Sequence, residues 1–294
     1  MNFSERALDF CCGSERLVAV MSVPDRPVPR GVLVVVGGPQ YRAGSHRQFT
    51  LLCRALAGQG IATMRFDYRG MGDSQGEMRT FEDVGQDIRA AIDEFFIQLP
   101  EMREVVIWGL CDAASAALFY AHLDPRVSGV VLLNPWVRTS SGIAMTHLKH
   151  YYWSRITEPE LWRKLARGQF DFATAARSFA GTITAAFGFK RGGEIKNDLS
   201  DISAQPAPRP DIPLPQRMAD GFGRFKGRVL LILSGKDLTA QEFGEAVRAS
   251  SRWRKLLADP RVLRRDLQQA DHTFSRRVWR DQVAIWTADW VRSW

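Results

Sequence analysis

Residues Glu104–His122 read EVVIWGLCDAASAALFYAH, and the fold turns on how this stretch is parsed. Val105-Val106-Ile107-Trp108 is an apolar, mostly β-branched run suited to a strand buried on both faces. The chain then turns through Gly109-Leu110-Cys111-Asp112-Ala113. It leaves as an alanine-rich segment with no interior Gly or Pro, which predicts a helix. Strand, Gly-x-nucleophile-x-small, helix is the layout of a nucleophile elbow, a sharp turn that lifts one side chain above a sheet and sets it at a helix N-terminus. The lifted residue is Cys111, and the fifth position is Ala113.

The alternation continues on both sides of this stretch. Residues 6–23 predict an antiparallel hairpin at a sheet edge, turning near Gly13-Ser14. Gly31–Val36 (GVLVVV), Ile61–Phe66, Val127–Leu133, Val229–Leu233 and Arg261–Leu267 predict further strands, mostly buried. Between them, 3.6-residue periodicity predicts helices near Ser45–Gly58, Phe81–Gln98, Ala240–Ser250 and Ser275–Arg292. Strands alternating with helices imply an α/β fold, a mostly parallel central sheet with helices on both faces. From Trp136 to about Gly227 the pattern shifts to aromatic-rich helical segments and a Pro-rich return, Asp201–Gln216, which predicts an inserted helical cap. The expected division is therefore 1–135 with 228–294 as core and 136–227 as cap. Asp67 and Arg69, beside glycines at 70 and 72, are expected to hold their loop by charge-assisted hydrogen bonds.

The 294 residues, 45% of them hydrophobic, can bury a sizeable core. MNFSERALDF lacks the apolar stretch of a signal peptide, and no run is long enough to span a bilayer, so a cytoplasmic protein is expected. The four cysteines form neither a disulfide framework nor a zinc-ligand spacing; no metal or other cofactor is expected. The net charge of +8 is scattered arginine without a nucleic-acid motif, so no nucleic-acid partner is expected.

Functional groups of such a sheet collect at the C-terminal strand tips. Cys111, Asp237 and His272 each follow a predicted strand, in the order nucleophile, acid, base. Cys111 would attack as thiolate, favoured by the helix N-terminus and a neighbouring imidazole. His272 would take the thiol proton, and Asp237 would fix its tautomer. Two glycines end the GVLVVV strand, ahead of Pro39-Gln40. Because proline has no N–H, Gln40 is the expected oxyanion donor, together with the backbone N–H of Asp112. Tyr151, Tyr152 and Trp153 are candidates to line an apolar acyl pocket.

The segments VVVGGPQ, RFDYRGMGDSQG, WGLCDAA, LSGKD and ADHTF resemble the α/β-hydrolase superfamily over nearly the whole chain. GGPQYRAGSHRQF with a Cys elbow looks most like the first type of exosortase A system-associated hydrolase. The resemblance implies a hydrolase core in which the loop after GVLVVV supplies half of the oxyanion hole. Cysteine for serine and Ala113 for glycine depart from the general pattern. The resulting expectation is an acyl hydrolase of thioesterase, esterase or lactonase type, working through an acyl-Cys intermediate on a small acyl substrate. A coenzyme A or acyl-carrier donor is compatible with the basic surface. The alternatives are an acyltransferase to an alcohol or amine, and a non-catalytic hydrolase-fold binding protein, against which the retained Asp237 and His272 argue.

Overall fold

The computed structural model describes residues 2–38, 40–137 and 212–294. Met1–Val137 and Ile212–Trp294 form one unit. Arg138–Asp211 lies outside the described residues, and with it most of the expected cap.

Eight strands form one sheet: β1 (Phe3–Cys12), β2 (Glu15–Pro24), β3 (Arg30–Val35), β4 (Thr63–Asp67), β5 (Glu104–Leu110), β6 (Val127–Leu133), β7 (Arg228–Ser234) and β8 (Val262–Leu267). Their spatial order is β1-β2-β4-β3-β5-β6-β7-β8. β1 and β2 form the expected antiparallel hairpin, β2 runs antiparallel to β4, and every pair from β4 onward is parallel. This is the α/β-hydrolase architecture. The apolar runs become central strands because both faces of the sheet are covered. On one face Leu33, Ile107 and Val130 pack with α2 (Gly85–Gln98) and α3 (Asp112–Tyr120). On the other, Val34, Trp108 and Val131 pack with α1 (Gln48–Ala57) and the C-terminal helix (Arg277–Arg292).

Leu214–Arg224 is a helix, α4, where a Pro-rich return had been expected to run on to Gln216. Proline near its first turn costs nothing, because those N–H groups have no intrahelical partner anyway. Gly221 lets it lie against α3; a Cβ there would come within 2.1 Å of the Leu118 carbonyl oxygen. The remaining helices are α5 (Leu238–Ala249), α6 (Ser251–Leu257) and α7 (Arg277–Arg292). Among the described residues no helix is long and apolar enough to cross a membrane.

Candidate active site

The strand of the elbow is longer than its sequence suggests. β5 stays in register through Gly109 and Leu110, and α3 starts at Asp112, so the reversal falls on Cys111 alone. Cys111 has φ 64° and ψ −125°, a backbone state costing about 1–3 kcal/mol in a non-glycine residue. Its neighbours hold it there: its N–H donates to the Leu133 carbonyl at 2.9 Å, and its own carbonyl accepts from Trp136 and Ala114. Gly109 serves close approach rather than turning, since a Cβ would sit 2.6 Å from the Ala113 carbonyl. The Cys111 side chain is half-buried at the tip of the central strand.

Two strands away, Asp237 ends the loop after β7 and caps α5. Its carboxylate accepts from Thr239 N–H and Ala240 N–H, both at 3.1 Å. The same carboxylate reaches His272, with Nδ1 2.9 Å from Oδ2. Asp237 is buried, whereas the His272 side chain is 36% exposed and open to reactants. Backbone bonds from Gly235 N–H to Leu267 and from Lys236 N–H to Ala270 draw the β7 and β8 loops together. Gly235 permits this approach, because a Cβ would lie 2.3 Å from the Gln268 carbonyl oxygen.

Asn134 is a positioning residue that sequence reading did not single out. Fully buried at the tip of β6, it accepts from Ser234 N–H at 2.9 Å and donates to Ser234 Oγ at 2.8 Å and the His272 carbonyl at 3.1 Å. It thus joins the tips of β6 and β7 to the histidine loop, across more than a hundred residues of chain.

The loop after β3 differs from expectation at Gln40. The Gln40 N–H turns back to the Gly38 carbonyl at 2.8 Å, its amide nitrogen donates to Gly37, and its amide oxygen accepts from Ser45. Gln40 therefore shapes its own loop, and the N–H directed at the elbow belongs to Gly38, before the proline. That N–H meets the Asp112 carboxylate at 2.8 Å and 3.0 Å. Tyr151, Tyr152 and Trp153 lie outside the described residues.

Residues 27–177 match the family described as serine aminopeptidase, S33, slightly more than half of the chain. The chain belongs to this family. It is an α/β-hydrolase family whose members act on ester and related bonds. A Pyrococcus furiosus esterase aligns with 99% of this chain and 92% of its own, at 15% identity and TM-score 0.64. A Butyrivibrio proteoclasticus protein, Est1E, solved with ferulic acid, aligns over 97% of both chains at 15% identity and TM-score 0.58. An Anabaena variabilis dienelactone hydrolase aligns over 98% and 96% at 15% identity and TM-score 0.57. At such identities these likenesses carry the fold alone. An uncharacterized Pseudomonas aeruginosa protein is 32% identical over 103 residues, 33% of this chain, and the match spans about a quarter (27%) of that protein's length.

The S33 family is of serine type, and this corrects the reading of the chain as a cysteine-nucleophile, exosortase-associated hydrolase with an acyl-Cys intermediate. That reading rested on GGPQYRAGSHRQF and one cysteine in the elbow; the family match spans residues 27–177, from strand β3 past the end of β6. A sulfur at position 111 remains a feature of this chain, but it does not define its class.

Proposed function

We propose that the strand-tip cluster of Cys111, Asp237 and His272 is where this protein hydrolyses small carboxylic esters, with His272 as the proton carrier. The single observation behind this reading is the 2.9 Å contact of His272 Nδ1 with the buried Asp237 carboxylate. With Nδ1–H held by Asp237, Nε2 is the nitrogen left to accept a proton. His272 then removes a proton from an attacking water molecule as its oxygen adds to the ester carbonyl, and returns that proton to the departing alkoxide, leaving the acid and the alcohol. As the carbonyl becomes tetrahedral its oxygen gains negative charge. The N–H groups that support the elbow reading are those of Gly38 and Asp112. The small-ester substrate class is supported by the family and by the esterase titles of the similar structures. Cys12 and Cys53, buried and outside any disulfide, fit a reducing compartment, which supports a cytoplasmic location.

Serine-type chemistry needs an Oγ at position 111, so Cys111→Ser is the informative exchange. The variant should release p-nitrophenol from p-nitrophenyl butyrate at least as fast as the wild type. A folded Cys111→Ser that is inactive beside an active wild type contradicts the serine-type assignment. Absence of turnover in both contradicts the ester reading. Release of coenzyme A from butyryl-coenzyme A, assayed alongside, would extend the substrate class to carrier-linked acyl groups.

A further inference from the structure

At the elbow, a backbone N–H of the β3 loop is directed at a side chain of the protein itself. Gly38 N–H lies 2.8 Å and 3.0 Å from the two oxygens of the Asp112 carboxylate. It sits at the N-terminus of α3, the positive end of the helix, where an anion is stabilised. The β3 loop is shaped around it: a Cβ on Gly37 would come within 2.2 Å of Asp112 Oδ1, and Gly38 takes φ +64°. Burial pushes the Asp112 carboxyl up, and the surrounding N–H groups and the His272 ring oppose that rise. Burial and then the charges of Asp112 and Asp87 also push the nearby Tyr68 phenol up. In the elbow layout an N–H of the loop after β3, with that of the residue after the nucleophile, receives the developing oxyanion.

We propose that the Asp112 carboxylate is an internal occupant of the oxyanion seat, an autoinhibitory contact that a substrate carbonyl must displace before it can be polarised. This rests on the ester-site reading only in so far as the seat belongs to that site. While Asp112 is in place, the Gly38 N–H is spent on a resident anion. An incoming carbonyl oxygen meets a carboxylate instead of donors. Swinging the side chain out frees the Gly38 N–H, so access to the seat is set by one χ1 rotation and by what the substrate offers in exchange.

The experiment compares wild type, Asp112→Asn and Asp112→Ala in two assays, after thermal melts show that each is folded. Butyrate, a carboxylate of the size of the expected product, is titrated by calorimetry, and p-nitrophenyl butyrate turnover is followed separately. Emptying the seat should tighten butyrate binding at least tenfold in Asp112→Ala, and raise kcat/KM by roughly tenfold, part of the ~10²–10³ that one oxyanion donor is worth. Asp112→Asn, neutral but still able to accept from Gly38, should fall between. Folded variants that bind butyrate no better than wild type overturn the proposal. If no ester is turned over by any form, the ester reading fails while the butyrate titration still decides whether the seat is occupied. Should both variants unfold, hydrogen exchange at the wild-type Gly38 amide decides. Protection supports the contact, and exchange at the rate of an open loop amide refutes it.

Discussion

Replacing His272 with alanine should lower kcat/KM for p-nitrophenyl butyrate by roughly 10²–10⁴-fold, the usual worth of a positioned general base. The ring sits over the strand tips, half-open to solvent, with no part in the hydrophobic core, so its loss should leave stability nearly unchanged. Its backbone carbonyl keeps the bond from Asn134, because the substitution spares the main chain. The effect should therefore lie in turnover, measured by steady-state kinetics alongside a thermal melt. An Ala variant as active as wild type would remove His272 from the chemistry.

The largest expected loss of stability comes from a pair away from the reacting groups. Asp87, in the first turn of α2, is fully buried and accepts three bonds from Arg69: backbone N–H, Nε and Nη2, each at 2.9 Å. Arg69 is only 12% exposed, and its hydrogen bonds to Asp87 raise its guanidinium above the ordinary value. Asp87→Ala would strand the Arg69 N–H and leave its guanidinium, deprived of its counter-charge, with Gln86 as its remaining partner. Breaking one side of a buried pair costs about 3–5 kcal/mol. Urea unfolding should show a fall of that size in Asp87→Ala. A fall below about 1 kcal/mol would mean that Arg69 finds water or another partner once Asp87 is gone.

The α/β plan was legible because the central strands are buried on both faces and so are written as unbroken apolar runs. Val127–Leu133 has the bounds its sequence suggests. Asp237 and His272 were legible as polar residues just past such runs. What sequence reading missed depends on contacts distant in the chain. Asn134 looked like a strand-ending residue, yet it tethers Ser234 and the His272 loop. Asp67 and Arg69 do stabilise the loop after β4, though through Arg42, Asp73 N–H and Asp87 rather than through each other. Gln40 was chosen by counting forward past a proline, whereas the path of the chain presents the preceding Gly38. Helix α4 was hidden by Pro213, Pro215, Gly221 and Gly223, which read as loop until α3 supplies the surface against which Gly221 packs. The cysteine in the elbow was the most conspicuous local signal. It gave the wrong class, because one side chain says less about chemistry than the family to which the surrounding half of the chain belongs.

The claim on which the ester reading stands is that Asp237 holds a proton on His272 Nδ1 and leaves Nε2 bare. Nitrogen-15 NMR of the histidine rings, in wild type and in Asp237→Asn, reads this directly. The neutral wild-type ring should carry its proton on Nδ1, and that proton should be lost or weakened in the variant. A wild-type ring protonated on Nε2, or one whose tautomer is the same with and without the Asp237 carboxylate, would contradict it.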